Sequence, residues 1–132
     1  MSAKKIVIVD DEPDVVMFLQ AALEDNGYIA LTASGAGEGL ELIKQSMPDL
    51  VCLDVLMPKE SGISLFRKLR TDSKLKEIPV IINSGLNFSR DIEPMEFLKL
   101  ENGVVLDEPE GYIEKPVDVE RLLYIVRKVL GK

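Results

Sequence analysis

The sequence predicts an α/β fold built on a doubly wound sheet of five parallel strands with five helices. Five short apolar runs stop abruptly at polar or turn-forming residues, which is typical of strands buried on both faces. Between these runs, apolar residues recur three and four positions apart, as on one face of a helix. Strands that alternate with helices form a parallel sheet, and such sheets place their sites beyond the carboxyl ends of the strands.

The apolar runs differ in how they end. The first ends at Asp10 and the third at Asp54, whereas the fourth leads into Asn83-Ser84-Gly85 and Pro116 stops the fifth. Polar side chains therefore collect where strands end, which is where a site is expected. The predicted strands are 5–9, 28–33, 50–53, 78–82 and 111–114.

Proline, asparagine and glycine mark the ends of the helices. Pro13 suits the first turn of the first helix, and Asn26-Gly27 stops it. The later helices are predicted from the spacing of their apolar residues. After the first, they are 37–46, 61–70, 94–101 and 117–130.

The connection between the fourth and fifth strands is enlarged. Pro94 through Glu101, closed by Asn102-Gly103, predicts a helix. Val104-Val105-Leu106, followed by the acidic segment 107–111, could add a short strand or hairpin, and a simple surface loop is the alternative. We treat residues 94–110 as an insertion.

Composition restricts the function. The 132 residues, 46% of them apolar, fit a single domain over residues 1–132. The formal net charge of -7 at pH 7 argues against direct nucleic-acid binding, which needs a clustered excess of Lys and Arg. Without a signal-type or membrane-spanning apolar segment, we expect a cytoplasmic, soluble protein with no membrane insertion. The chain has no histidine, so imidazole chemistry is excluded, and the lone Cys52 is expected to pack in the core.

Several polar residues should meet at the carboxyl edge of the sheet. Carboxylates gathered there would repel one another strongly without a cation, and Mg²⁺ suits such a site because it takes oxygen ligands and shares positions with phosphate. A lysine ammonium can reach across the edge toward an anion. The residues concerned are Asp10, Asp11, Asp54, Ser84 and Lys115.

Plainer interpretations exist for single residues. Acids after strands cap helices or face the solvent, and for Glu12 and Asp14 this is the preferred interpretation. Taken alone, Lys115 is a surface lysine and Ser84 a turn residue. Only their joint occurrence at strand ends favours a site.

These motifs resemble the response-regulator receiver domain, the chemotaxis-regulator-like module of two-component systems. That family has an acidic pair after the first strand, the phosphoacceptor Asp after the third, Ser or Thr after the fourth and Lys-Pro after the fifth. The motifs cover nearly the whole chain in order, which makes the signal specific. They are Val9-Asp10-Asp11-Glu12, Leu53-Asp54-Val55-Leu56-Met57-Pro58 continuing to Gly62, Asn83-Ser84-Gly85 and Tyr112-Ile113-Glu114-Lys115-Pro116.

The resemblance implies a (βα)5 flavodoxin-like fold with strand order 2-1-3-4-5. It implies that Asp54 accepts a phosphoryl group from a histidine-kinase phosphohistidine or a phosphotransfer protein. Asp11, Asp54 and the backbone carbonyl of Leu56 would ligate Mg²⁺ or Mn²⁺, with Asp10 supporting the metal through water. A stand-alone receiver of this kind catalyses only its own phosphorylation and dephosphorylation, and its output passes to another protein.

The resemblance also implies a phosphoryl-binding pair and a switch. Ser84 and Lys115 would bind phosphoryl oxygens, and the Lys115–Pro116 bond is commonly cis in the family. The hydroxyl of Ser84 would move inward and Tyr112 would follow it, although Tyr112 could instead be a half-buried sheet residue.

The chain departs from the family in two places. Lys115 follows Ser84 by 31 positions, which is an unusually long gap for the family. The altered connection puts in doubt the face that family members often use for partners or dimerisation. A homodimer is one of the expected assemblies. The acidic insertion is our candidate for a partner-specific surface. Leu56 and Leu86 are apolar where rapidly hydrolysing members carry polar side chains that orient water, so we predict slow autodephosphorylation.

Other functions compete with this one. A phosphorylation-independent, pseudo-receiver-like binding module would keep the acidic site but act through contacts alone. A hydrolase with an aspartyl nucleophile would usually need a second acid soon after Asp54, where Val55, Leu56 and Met57 stand. A flavin or nucleotide module would need a Gly/Ser/Thr-rich loop after the first strand, where acids stand instead.

Overall fold

The computed structural model describes residues 3–55, 62–84, 98–100 and 102–131. The side chain of Ser84 is not among the described groups. Predictions that concern Leu56, Leu86 and most of the helix expected at 94–101 therefore lie outside the described residues.

The predicted sheet is confirmed. Its five strands are all parallel, and their spatial order is β2-β1-β3-β4-β5. The central strands β1 and β3 are buried apart from the half-buried Lys5, because apolar side chains cover both faces. The strands are β1 Lys5–Val9, β2 Ile29–Ala33, β3 Leu50–Leu53, β4 Val80–Ser84 and β5 Gly111–Glu114.

Four helices lie in the described part of the chain, and they cover both faces of the sheet. α1 and α4 pack on one face, against Ile8, Cys52 and Ile81. α2 and α3 pack on the opposite face, against the alternate strand residues such as Val9 and Leu53. None of the helices in the described ranges is long and apolar enough to cross a membrane. The helices are α1 Pro13–Glu24, α2 Ala36–Ser46, α3 Gly62–Thr71 and α4 Val119–Leu130.

Several element boundaries differ from those predicted by one or two residues, and two of these shifts have a clear structural cause. β4 begins at Val80 rather than at Ile78, because Ile78 closes a turn with Leu75 and its carbonyl accepts a hydrogen bond from Arg70 at 2.9 Å. α4 begins at Val119 rather than two residues earlier, because the Asp118 carboxylate accepts a hydrogen bond from the amide of Glu120 and caps the helix.

A tight hairpin lies in the long connection before β5. The amide of Leu106 donates to the carbonyl of Leu98, and the amide of Leu100 donates to Val104, both at 2.8 Å. Gly103 takes the left-handed conformation in the turn, with φ of 87°. Among the described residues of this segment Leu98 is helical, whereas Lys99 forms an isolated antiparallel bridge with Val105. The predicted helix therefore does not continue to Glu101, and the strand expected at 104–106 is reduced to that single bridge.

The hairpin is anchored to the body of the domain. The side chains of Leu98 and Leu106 are buried in the core that α2 and α3 share with the sheet. The hairpin therefore covers the same face of the sheet as those two helices. Val104 and Val105, near its tip, are each half exposed.

A buried arginine holds the segment that follows the hairpin, and we call this arrangement the Arg70 clamp. The guanidinium of Arg70, in the last turn of α3, lies 4.9 Å from the centre of the Phe66 ring. Its hydrogen bonds join the loop before β4 to the segment before β5. The acceptors are the carbonyls of Lys76, Ile78, Asp107 and Glu108 and the carboxylate of Glu110, the last at 2.8 Å.

Candidate functional site

Two buried carboxylates stand at the carboxyl ends of neighbouring strands. Asp10 follows β1 and Asp54 follows β3, and the two residues are 0% and 1% exposed. The amide of Asp10 donates to Ala33 and the amide of Asp54 donates to Val9, so the sheet ladder fixes both backbones. Two charges of the same sign held in the interior need a counter-charge.

α3 begins directly against the backbone of the Asp54 loop. The amide of Gly62 donates to the carbonyl of Val55 at 3.3 Å. A Cβ atom at position 62 would overlap the carbonyl oxygen of Asp54 and crowd the Cα of Val55. Glycine is therefore required here by close approach, which accounts for Gly62 in the motif.

Lys115 supplies the counter-charge from the end of β5. Its ammonium nitrogen lies 2.9 Å from Oδ2 of Asp10 and 3.2 Å from Oδ2 of Asp54. It also donates a hydrogen bond to Oε1 of Glu12 at 2.7 Å. The Lys115–Pro116 bond is cis, as the resemblance implies. The structure therefore brings Asp10, Asp54 and Lys115 into one cluster.

The electrostatics of Lys115 reflect two opposed effects. Burial lowers the pKa of its ammonium, but the close contacts with the carboxylates of Glu12 and Asp10 and the charge of Asp54 outweigh burial. The pKa of Lys115 is therefore raised above its ordinary value, and the side chain stays positively charged at neutral pH.

The acidic groups fit a hard divalent cation. Carboxylate oxygens of Asp10, Glu12 and Asp54 lie within 4.8 Å of one another. Oδ1 of Asp10 accepts a hydrogen bond from the amide of Glu12, whereas the buried Oδ2 is in ionic contact with Lys115 but has no aligned hydrogen-bond donor in the described ranges. Such oxygens suit Mg²⁺ or Mn²⁺. Asp11 is half-buried and is not a member of this group, and the carbonyl of Leu56 lies outside the described residues.

The two residues of the predicted switch lie on adjacent strands. Ser84 is the last residue of β4 and pairs with Glu114, while Tyr112 pairs with Ile82. Tyr112 is half-buried and packs against the core on the α2 and α3 face. Burial, followed by the charge of Glu108, raises the pKa of its hydroxyl.

The interpretation of Glu12 as a capping or solvent-facing acid is only partly confirmed. It occupies the N-cap position of α1, but its carboxylate makes no capping hydrogen bond and instead contacts Lys115. Its side chain is 59% exposed, so the expectation that it faces solvent holds in part. The signal available in the sequence was its place directly after the acidic pair.

A doubly wound sheet with carboxylates and a lysine gathered at its carboxyl edge is the architecture of a signalling receiver. The family model of the response regulator receiver domain matches residues 6–127, and the chain belongs to this family. Receiver domains are signalling domains of two-component systems rather than classical enzymes. They bind Mg²⁺ at an acidic pocket and interact with histidine kinases or phosphotransfer proteins and with downstream targets.

Individual relatives agree with this assignment. The chain is 36% identical to protein PilH of Pseudomonas aeruginosa over 127 residues, which cover 96% of this chain and 98% of that protein. The response regulator TrrA of Thermotoga maritima, solved in complex with Mg²⁺-BeF, has a TM-score of 0.78 at 28% identity, covering 96% of this chain and 99% of that one. The chemotaxis protein CheY4 of Vibrio cholerae has a TM-score of 0.81 at 24% identity, covering 98% and 100%, which shows the shared fold.

Proposed function

We propose that this chain is a phosphoacceptor that receives a phosphoryl group on Asp54 from a histidine-kinase phosphohistidine or a phosphotransfer protein, with Mg²⁺ or Mn²⁺ bound nearby. The observation that carries the proposal is the contact of Lys115 Nζ with Oδ2 of Asp54, 3.2 Å apart at a buried strand end. A cation beside a buried carboxylate provides the charge that an incoming phosphoryl group requires.

The chemistry follows from the cluster. An oxygen of Asp54 attacks phosphorus in line, the new O–P bond forms, and the electron pair of the broken N–P bond returns to the imidazole of the donor. Lys115, already charged, moves from the carboxylates to a phosphoryl oxygen, and the hydroxyl of Ser84 binds another. Magnesium, when bound, would neutralise phosphoryl charge, and Asp10, Asp11, Asp54 and the Leu56 carbonyl are its proposed ligands. The chain thus catalyses only its own phosphorylation and slow dephosphorylation.

The surface beside the site supports docking of a protein donor. An open cavity of about 540 Å³ lies between the start of α1 and the loop after β5. Lys115 lines one end, and Phe18, Val15 and Pro116 supply apolar contacts. Phe18 is 47% exposed, so its ring is accessible from the open cavity.

The phosphoryl group would alter the surface through the residues proposed as a switch. Movement of the Ser84 hydroxyl toward the phosphoryl group would make room for Tyr112 to move inward. Tyr112 packs against the core on the α2 and α3 face, and Glu108, whose carbonyl the Arg70 clamp holds, is near enough for its charge to act on the Tyr112 hydroxyl. The signal would then pass to an unidentified downstream protein.

We further propose that residues 1–132 form one receiver domain in which 94–110 is an insertion that supplies a partner-specific surface. Val104 and Val105 are exposed, and acidic side chains follow them. Deleting 104–110 would also remove the buried Leu106 and the Glu110 contact of the clamp. Substituting Val104 and Val105 with serine therefore tests the surface without disturbing the core.

The deciding experiment uses acetyl phosphate and Mg²⁺, with intact mass as the readout. We expect one phosphoryl adduct on the native chain, none on Asp54→Asn and an unaltered adduct on Asp14→Asn, which changes an exposed acid of α1. A beryllofluoride titration gives a second readout that requires no transfer. If folded protein shows neither adduct nor beryllofluoride response, the phosphorylation-independent binding module becomes the better explanation.

A further inference from the structure

Asn83 is a buried polar residue whose side chain makes no hydrogen bond within the described part of the chain. It is the penultimate residue of β4 and only 2% exposed. Neither its Oδ1 nor its Nδ2 has a hydrogen-bond partner in the described part of the chain. A buried amide in this condition carries the full cost of losing its contacts with water, so it requires an explanation.

The register of the sheet places Asn83 next to the phosphoacceptor. Leu53 of β3 pairs with Ile82 of β4. Asp54 directly follows Leu53, and Asn83 directly follows Ile82. Side chains alternate between the two faces of a strand. Because Cys52 and Ile81 point to the α1 and α4 face, Asp54 and Asn83 are directed to that same face.

Lys115 passes over the position of Asn83. The order of the strands is β1-β3-β4-β5, so a lysine at the end of β5 that contacts Asp54 and Asp10 must reach across β4. Ile113, which pairs with Asn83, points to the same face as Lys115 two residues later. The side chain of Asn83 therefore lies on the same face of the sheet as those of Asp54 and Lys115, at the end of the strand that separates their strands.

We propose that Asn83 is a positioning residue for the phosphorylated form, in which its amide makes the hydrogen bonds that the present form lacks. When Lys115 turns toward a phosphoryl oxygen, it leaves one oxygen of Asp54 without its donor. The Nδ2 group of Asn83 then donates to that oxygen, and its Oδ1 accepts from the Lys115 ammonium. The unphosphorylated form is thus destabilised locally in favour of the phosphorylated form. This inference rests on the proposed phosphorylation of Asp54.

The test is Asn83→Leu, which keeps the approximate volume and removes the polar atoms. Without metal, we expect the melting temperature to rise by about 4 °C, because an unsatisfied buried amide is removed. With Mg²⁺, we expect the affinity for beryllofluoride to fall by about fivefold or more, because the acceptor state loses hydrogen bonds. Asn83→Thr, which keeps a hydroxyl donor, should restore part of that affinity.

A matched control is Asn26→Leu. Asn26 is exposed, and its side chain donates to Ala22 and accepts from Arg127. This change should lower the melting temperature and leave beryllofluoride affinity unaltered. If Asn83→Leu lowers the melting temperature, or if it raises that temperature without loss of beryllofluoride affinity, the positioning role is wrong. Failure of the native chain to respond to beryllofluoride would instead refute the proposed phosphoacceptor function.

Discussion

Oε1 of Glu12 lies 2.7 Å from the ammonium nitrogen of Lys115, closer than Oδ2 of Asp54 at 3.2 Å. Lys115 therefore contacts the exposed carboxylate of Glu12 and, at the same time, the buried carboxylates of Asp10 and Asp54 at the strand ends. Its transfer to a phosphoryl oxygen requires that the exposed contact be broken. Glu12 thus competes with the incoming phosphoryl group for Lys115.

Glu12→Gln should speed phosphorylation by acetyl phosphate about two- to fivefold. The change releases Lys115 and removes a negative charge that repels the donor, and the effect is modest because exposed ion pairs are weak. The measurement is the initial rate of adduct formation at low salt, with Asp14→Asn as the control for a general charge effect. A slower rate would mean that Glu12 holds Lys115 in its working position.

Lys115→Met should lower stability without metal and strengthen Mg²⁺ binding. Removing the cation leaves Asp10 and Asp54 buried without their counter-charge, at a cost of about 3 kcal/mol. The same repulsion favours a divalent ion, so we expect Mg²⁺ affinity to rise about tenfold while phosphorylation is lost. Urea unfolding with and without Mg²⁺, together with calorimetric titration, measures both effects.

Lys128→Met, at an exposed position of α4, is the control for the loss of one positive charge. Weaker or unchanged Mg²⁺ binding in the Lys115 variant would mean that the acidic group in the described structure is not the cation site. Removal of Mg²⁺ from the native chain by chelation should likewise destabilise it, since the metal binds the folded form.

Arg70→Met should destabilise the domain by about 3 kcal/mol, because the buried carbonyl of Ile78 and three part-buried carbonyls lose their donor. The Glu110 carboxylate loses its cationic partner but keeps the amide of Val80 as a donor. Arg121→Met, an exposed arginine of α4, should cost far less. Amide hydrogen exchange should show the loss most strongly in the hairpin residues Leu100 and Leu106, whereas the amides of β2 keep their protection. Uniform loss of protection would contradict a local clamp.

Cys52 should make stability fall at alkaline pH. Burial raises the pKa of the thiol from 9.0 to about 12, so above pH 9 the unfolded chain loses the proton while the folded chain keeps it. Stability contributed by this group is present below pH 9 and is lost as pH rises toward 12. Between pH 8 and 10, the free energy of unfolding of the native chain should fall by about 1.4 kcal/mol more than that of Cys52→Ala. Equal losses in urea unfolding would contradict the assignment.

The phosphoryl group on Asp54 should persist for minutes or longer once the donor is removed. Leu56 and Leu86 offer no polar group to orient an attacking water, so hydrolysis lacks the contribution of proximity. Intact mass followed over time measures the lifetime, and Leu56→Asn should shorten it. A native lifetime of seconds would refute this prediction.

The sheet was predictable because its strands are defined by short apolar runs and by the residues that stop them, and both are local features of the sequence. Lys5–Val9, Leu50–Leu53 and Gly111–Glu114 have the predicted limits, since an aspartate follows each of the first two and Pro116 stops the third. The errors arose where distant groups decide the outcome. Ile78 is apolar and β-branched, yet its carbonyl is taken by Arg70, and Lys99 pairs with Val105 across a glycine turn.

The residues at the centre of the candidate site were predictable from the sequence, whereas the buried polar residues farther out were not. Asp10, Asp54 and Lys115 follow from strand ends that the topology brings together. Arg70 was overlooked because a charged residue is normally placed outside, although it follows Phe66 by four positions on the apolar face of α3. Asn83 is part of the predicted motif after the fourth strand but receives no role there, because only the packed structure shows that its amide has no hydrogen-bond partner among the described residues.

The hairpin also offers a place to attach a reporter. Asn102 and Gly103 are exposed at its tip, whereas Leu98 and Leu106 are buried. A fluorophore carried by a cysteine at position 102 would lie outside the packed layers while remaining rigidly connected to them. The emission of such a label would report whether phosphorylation of Asp54 changes the surroundings of the hairpin.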